Sequence, residues 1–236
     1  NQTARLERDM FWQLPGDWLS QGDALPYPVT MIMDESGRRH PRRRAKPAGE
    51  VYRRFDTGIQ AWVSLRTLDI EEDLHRFMRW QNSERVAAFW EQSGTLEEHR
   101  AYLESQAKES RVLNLIGCID DEPFAYFEAY WAKEDRIAPY YDAQDFDRGI
   151  HMLVGEDHHR GPHKVKAWLN ALCHYLFLDD CRTTRIVSEP RSDNDRMIQH
   201  LQARRFAKPK EFDFPHKRAA LMVLHRDAFF ERCELS

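Results

Sequence analysis

Between Val154 and Lys164 the chain reads VGEDHHRGPHK, joining an apolar stretch to an amphipathic one. A strand-to-helix loop of this kind leaves backbone N–H groups unpaired at the positive end of a helix dipole, which suits phosphate or pyrophosphate. Arg160 and Lys164 add positive charge, Gly161 lets the backbone approach a ligand closely, and Pro162 and His163 lie within the same turn. An ordinary strand–helix connection has a similar length. Neither GxxxxGK[ST] nor GxGxxG occurs. His158, His159 and His163, with Glu156 and Asp157 beside them, invite a metal reading, but HExxH and Cys/His ligand spacings are absent and no metal is assigned. Two further residues are candidates for proton chemistry. His151, whose ordinary pKa is about 6.5, can serve as a general base, or be a core histidine hydrogen-bonded in a sheet. Glu189, just before Pro190, can orient an imidazole, bind a substrate cation or cap the next helix. The four cysteines, Cys118, Cys173, Cys181 and Cys233, have no CxxC spacing and read as reduced thiols. Cys118 and Cys173 fall within an expected strand and helix, which disfavours a covalent intermediate.

The elements that must position these residues are legible from residue 58 onward. Residues 61–68 alternate as a strand, and 70–81 form a helix with Leu74, Phe77 and Met78 on one face. Thr95–Glu98 is a capping box opening a helix to about Ser110. Strands at 112–119 and 123–132 flank a turn at Asp120-Asp121-Glu122, which predicts an antiparallel hairpin. An aromatic loop, 135–148, leads to a strand at 149–155. The helix 163–178 carries Val165, Trp168, Leu169, Leu172 and Leu176 at helical spacing. A strand at 184–189 and a short helix to about Arg204 follow, then extended pieces at 205–214 and 218–225. This order predicts an α/β fold with a mixed sheet containing one βαβ crossover, His151 and Glu189 lying on the two strands that flank its helix. Ligands of such units sit at the carboxyl ends of the strands.

The first 57 residues read differently. They are rich in Trp, Pro and Gly, with short extended pieces at 28–33 and 50–55 around the basic run RRHPRRRAK at 38–46. That run is either a solvated hairpin tip or a dock for an anionic ligand or partner surface. The division expected is an N-terminal extension, 1–57, packed on a core domain, 58–236. The 236 residues carry 35 Lys+Arg against 39 Asp+Glu, so no basic field favours nucleic acid. No run of 18 apolar residues predicts a membrane span. Asn1–Arg5 lacks a charged-then-apolar leader pattern, giving a cytoplasmic expectation.

Four collinear strings, RVAAFWEQ (85–92), YYDAQDFDRGIHMLVGE (140–156), RGPHKVKAWLNAL (160–172) and RIVSEPRSDN (185–194), resemble the GNAT N-acetyltransferase superfamily. Within it, residues 58–230 are similar to the siderophore-biosynthesis acyltransferases, including those of aerobactin, alcaligin and desferrioxamine and the mycobactin lysine acyltransferase. The superfamily loop Q/R-x-x-G-x-G/A is met at Arg160-Gly161 and departed from at His158 and His163. The resemblance implies a GNAT fold and acetyl-CoA or succinyl-CoA as co-substrate. It places His151 and Glu189 at the proposed catalytic positions and the pantetheine along Met152, Leu153 and Val154, one of whose N–H groups polarises the thioester carbonyl. Asn194 stands at a CoA-contacting position, or is a plain helix cap. Phe89, Trp90, Tyr140, Tyr141 and Asp142 are candidates for an acceptor pocket with apolar walls and an acid at its far end. The activity expected is N-acylation of a hydroxylated diamine or amino acid (N-hydroxycadaverine, N-hydroxyputrescine or N-hydroxylysine) to a hydroxamate, by direct transfer and without a metal. Acylation of an ordinary primary amine, and a non-catalytic module docking on a siderophore synthetase, are the alternatives.

Overall fold

The computed structural model describes residues 5–20, 27–231 and 234–235; Asn1–Ala4 and Cys233 lie outside the described residues. In chain order the elements begin with α1 (Arg8–Phe11), β1 (Met31–Met33), β2 (Arg39–Pro41), β3 (Glu50–Asp56) and β4 (Ala61–Thr67). Next come α2 (Ile70–Gln81), α3 (Glu84–Trp90), α4 (Leu96–Lys108), β5 (Val112–Ile119), β6 (Glu122–Trp131) and β7 (Arg148–Val154). The last are α5 (Pro162–Asp179), β8 (Arg185–Ser188), α6 (Asp195–Ala203), β9 (Ala207–Asp213), β10 (Arg218–His225) and α7 (Arg226–Glu231).

Local chemistry accounts for most of the boundaries. Asp69 accepts from the backbone N–H groups of Glu71 and Glu72 and so starts α2. Thr95 and Glu98 form the reciprocal capping box at α4. Asp120 and Asp121 both take left-handed φ, 48° and 65°, giving the tight turn that pairs β5 with β6. The α3 helix, inside the RVAAFWEQ string, was not expected. Its seven residues are too few to show a period.

Eight strands form one sheet in the order β3-β4-β5-β6-β7-β8-β10-β9. Every neighbouring pair is antiparallel except β7 and β8, which are parallel and joined by α5. A single crossover sets the site. β8 registers with β7 only at Arg148↔Ile186 and Gly149↔Val187, so beyond Gly149 the two strands part. The α5 helix is buried continuously from Ala167 to Leu178, packing on the sheet face that carries Val51, Leu113 and Ala129. Helices α2, α3 and α4 cover the other face through Phe77, Val86 and Leu103 against Ile116, Tyr126 and Leu153.

The N-terminal stretch lies on this core. Trp12 and Trp18 stack at 4.7 Å, and the Trp12 carbonyl accepts from buried His174 of α5 at 2.6 Å. Residues 18–20 run along the outer edge of β3, with Arg53 N–H donating to Trp18 O and Ser20 N–H to Val51 O. The boundary expected at residue 57 falls inside the β3–β4 hairpin, and β3 belongs to the main sheet. Among the described residues no helix is long and apolar enough to cross a membrane.

Candidate active site

On β6 and β7, Glu128 stands directly opposite His151 in register, so their side chains share a face. His151 Nδ1 lies 2.7 Å from Glu128 Oε2, and its Nε2 lies 2.5 Å from Oε1 of Glu189 at the end of β8. The parting of β7 from β8 makes room for this array. Carboxylates accept and do not donate, so an imidazole bonded to one at each nitrogen must carry both protons. Burial works against that charge, but Glu189 and Glu128 overcome it and raise the His151 pKa to about 10. Burial alone would raise Glu189; the His151 charge, Lys217 and the Tyr130 hydroxyl instead hold it at about 2. Glu128 is likewise lowered, against its burial, by His151, Tyr102 and Tyr126.

Further partners fix the two carboxylates. Tyr130 O–H donates to Glu189 Oε2 at 2.6 Å, and Tyr126 O–H donates to Glu128 Oε1 at 2.9 Å, where Tyr102 also donates. The Tyr130 ring crosses β7 at Gly149, where an added Cβ would come within 1.9 Å of it. The side chains of Glu189 and Glu128 are 0% and 9% exposed, against 23% for His151, so the ring is the member of the array that meets solvent. It does so in a cavity of about 670 Å³ bounded by Phe89, Trp90, Tyr102, Arg136, Met152 and Asn194 among others.

The expected base therefore carries a pKa far from its ordinary value, and both of its nitrogens are occupied. Glu189 does not cap α6: Asn194 does, its Oδ1 accepting from Met197 N–H at 3.2 Å, while Asn194 also borders the cavity. Phe89 and Trp90 reach the cavity, with the Trp90 ring edge-on to His151 at 6.3 Å. Tyr140, Tyr141 and Asp142 do not border it, a correction to their expected place. Tyr140 stacks on Phe212 at 4.7 Å, Tyr141 donates to Asp147 at 3.0 Å, and exposed Asp142 is bound to Gln144 at 2.9 Å. Sequence reasoning missed Glu128, Tyr130, Tyr102 and Arg136. The available signal was Glu128 itself, a lone acid in an apolar strand, which must find a partner when buried.

The phosphate-type loop has the expected form. Gly161 precedes α5 with φ 125°, and no side chain caps the helix, so the N–H groups of its first turn face outward. Arg160 pairs with Asp157 at 3.2 Å, and Lys164 Nζ donates to His158 O at 2.9 Å. Leu153 is buried under α2–α4, whereas Met152 and Val154 pack toward α5. Arg85 donates to Val154 O at 2.9 Å. His158 and His159 both turn to Glu122, bringing three potential ligand atoms within 4.8 Å of one another; His163 does not join them. Cys118 and Cys173 are buried and burial raises both thiols, while Cys181 is exposed.

Comparison with known proteins shows the family. The acetyltransferase (GNAT) domain family model matches residues 69–214. An N(6)-hydroxylysine O-acetyltransferase of Escherichia coli is 47% identical over 97% of this chain and 72% of its own length. A putative lysine N-acyltransferase of Schizosaccharomyces pombe is 43% identical over 95% of this chain and 67% of its own. A hydroxyornithine transacylase of Ajellomyces capsulatus is 39% identical over 96% of this chain and 58% of its own. Among solved structures, an uncharacterized protein from Bacillus halodurans aligns with a TM-score of 0.75 at 29% identity, covering 79% of this chain and 95% of that one. An aminoglycoside acetyltransferase in complex with coenzyme A aligns with a TM-score of 0.65 at 27% identity, covering 72% and 98%.

Proposed function

We infer that this chain, which belongs to the acetyltransferase (GNAT) domain family and is an acyltransferase, acylates the hydroxylated nitrogen of an N-hydroxy amino acid from acyl-CoA. The observation that carries the reading is the doubly held His151. An ordinary alkylamine arrives protonated at neutral pH, its pKa being about 10.4, and must lose that proton before it can attack. The array offers no free base for this: the ring is already charged, and its two carboxylates are buried with lowered pKa values. A hydroxylamine needs none, because the oxygen on its nitrogen withdraws electron density and leaves it neutral near pH 7. The site therefore suits a nucleophile that comes uncharged.

The donor lies along the free edge of β7 at Met152–Val154, where a backbone N–H polarises the thioester carbonyl. Its pyrophosphate rests on the first turn of α5, beside Arg160, Gly161, Pro162, His163 and Lys164, with Asn194 across the cavity. Attack forms the C–N bond and breaks the C–S bond. One proton passes from nitrogen to the leaving thiolate, so coenzyme A departs as the thiol, and the charged His151 ring at the cavity wall stabilises the negative charge that develops on the way. Glu128 and Glu189 hold the ring in place and keep it charged.

The acceptor's far end follows from the charges in the cavity. Glu91, Glu134 and Asp135 are each paired with an arginine, Arg191, Arg43 and Arg111. Arg136 has no ion pair among the described residues and lies over Phe214 at 5.3 Å. A free cation matches a carboxylate, which hydroxylysine and hydroxyornithine possess and hydroxylated diamines lack. The names of the Escherichia coli and Ajellomyces capsulatus relatives support the same substrate class, and the former supports an acetyl donor. The product hydroxamate is a two-oxygen ligand suited to hard Fe(III), which places the reaction in siderophore biosynthesis for iron acquisition.

Thiol release from acetyl-CoA tests this with lysine, N6-hydroxylysine and N-hydroxycadaverine as acceptors. At pH 7 hydroxylysine should turn over far faster than lysine; equal rates would overturn the reading. Arg136→Ala should cost about 1.5–3 kcal/mol with hydroxylysine, roughly tenfold or more in KM, and leave N-hydroxycadaverine unaffected. An equal effect on both acceptors would remove the carboxylate assignment.

A further inference from the structure

A second cavity, of about 460 Å³, opens on the α5 side of the sheet near the helix C-terminus. Seven basic side chains line it against two acidic ones, Asp179 and Asp180. Four of the seven, Arg42, Arg43, Arg44 and Lys46, come from the basic run of the N-terminal stretch. These residues do not form a solvated tip. The ring of Trp131 is sandwiched by the guanidinium groups of Arg43 and Arg148, each 4.1 Å from its centroid, and Arg182 lies 4.1 Å over Phe146. The side chains of Arg43 and Arg148 are each 3% exposed. Like charges so placed repel: burial and the nearby Arg148 both push the Arg43 pKa down, although Glu134 opposes them. Donors also outnumber acceptors here. Arg43 Nη1 and Arg148 Nε are buried without a hydrogen-bond partner, and no ion pair holds exposed Arg42 among the described residues.

We propose that this cavity binds a small multivalent oxyanion, bearing phosphate or carboxylate groups, at a site separate from both acyl-CoA and the acceptor. Planar guanidinium forks match such groups in bidentate fashion. Arginines already lie over the rings of Trp131 and Phe146, where a nucleobase would have to stack, so a compact anion fits better than a nucleotide. Arg43 connects the site to the acceptor cavity, because its Nε and Nη2 donate to Oε1 of Glu134, which borders that cavity.

The test is calorimetric titration of the full chain, saturated with coenzyme A to fill the α5 loop, with inorganic pyrophosphate and separately with tricarballylate. Binding of either probe at one site, weakened by added salt, is expected; which probe binds distinguishes phosphate from carboxylate chemistry. Arg42→Glu and, independently, Lys46→Met should each weaken it by about tenfold or more. Failure of both probes to bind, binding seen only without coenzyme A, or binding indifferent to Arg42→Glu would each overturn the proposal.

Discussion

His151 has two acidic neighbours where a single orienting group is enough for a base, and the second changes what the ring can do. With Glu189 alone, a neutral ring could donate from one nitrogen and accept at the other. With Glu128 on the opposite nitrogen, both positions must donate and the ring stays charged. The raised pKa of about 10 means that the charged form persists across neutral pH and is lost only as pH rises through that value. We expect kcat/KM with hydroxylysine to be level from pH 7 to 9 and to fall above about 10. A rate that instead climbs steadily from pH 7 to 10 would show that the neutral ring is the working form. Glu128→Gln separates the residues further. It removes one charge, so the ring pKa followed by NMR should drop, the alkaline fall in rate should move toward neutrality, and kcat should decline by roughly 10²-fold. A lower kcat with an unmoved pH profile would leave Glu128 with a packing role only.

At the scale of elements, the array depends on three adjacent strands keeping their register. Tyr130 on β6 faces Gly149 on β7, and only the missing Cβ lets the ring lie across the strand to Glu189. Gly149→Ala should therefore displace the ring, lower stability by about 1–3 kcal/mol and reduce kcat. Tyr130→Phe, which keeps the ring and loses the hydroxyl, should reduce kcat with a smaller change in thermal midpoint. If Gly149→Ala matches the parent in both midpoint and kcat, β7 has slack that the register does not show. This dependence also explains what could be read from the chain in advance. The α4 capping box, the β5–β6 turn and the α5 spacing are local signals, and each element formed within a few residues of its expected place. His151 and Glu189 were reachable through the matched strings and the βαβ geometry. Glu128 was not, because its partner is fixed by pairing between strands about twenty residues apart. Tyr140, Tyr141 and Asp142 misled for the converse reason: they are near β7 in sequence, but packing on Phe212 and bonding to Asp147 and Gln144 turn them away from the cavity.

Across the whole molecule, buried His174 ties the N-terminal stretch to the core. Its Nε2 donates to Trp12 O at 2.6 Å, so its Nδ1 accepts from Tyr52 O–H of β3 at 2.9 Å, and the ring must be neutral to do both. Burial lowers its pKa to about 3, the Trp12 carbonyl opposing. The sign of the pH effect follows. Below about 6.5 the unfolded chain binds a proton at this residue and the folded chain does not, so stability falls on acidification. His151 acts in the opposite sense, because above 6.5 the folded chain keeps a proton that the unfolded chain gives up, and stability declines toward pH 10. The two histidines together place the stability maximum near pH 6–7. Between pH 6.5 and 4.5, His174 should cost roughly 2–3 kcal/mol. Urea unfolding at pH 6.5, 5.5 and 4.5 measures this. His174→Phe cannot titrate, so it should be less stable at pH 6.5, having lost the hydrogen bonds to Trp12 O and from Tyr52 O–H, but should lose much less on acidification. An acid limb equally steep in that variant would mean that other groups carry the pH dependence and that the N-terminal stretch is held by its tryptophans alone.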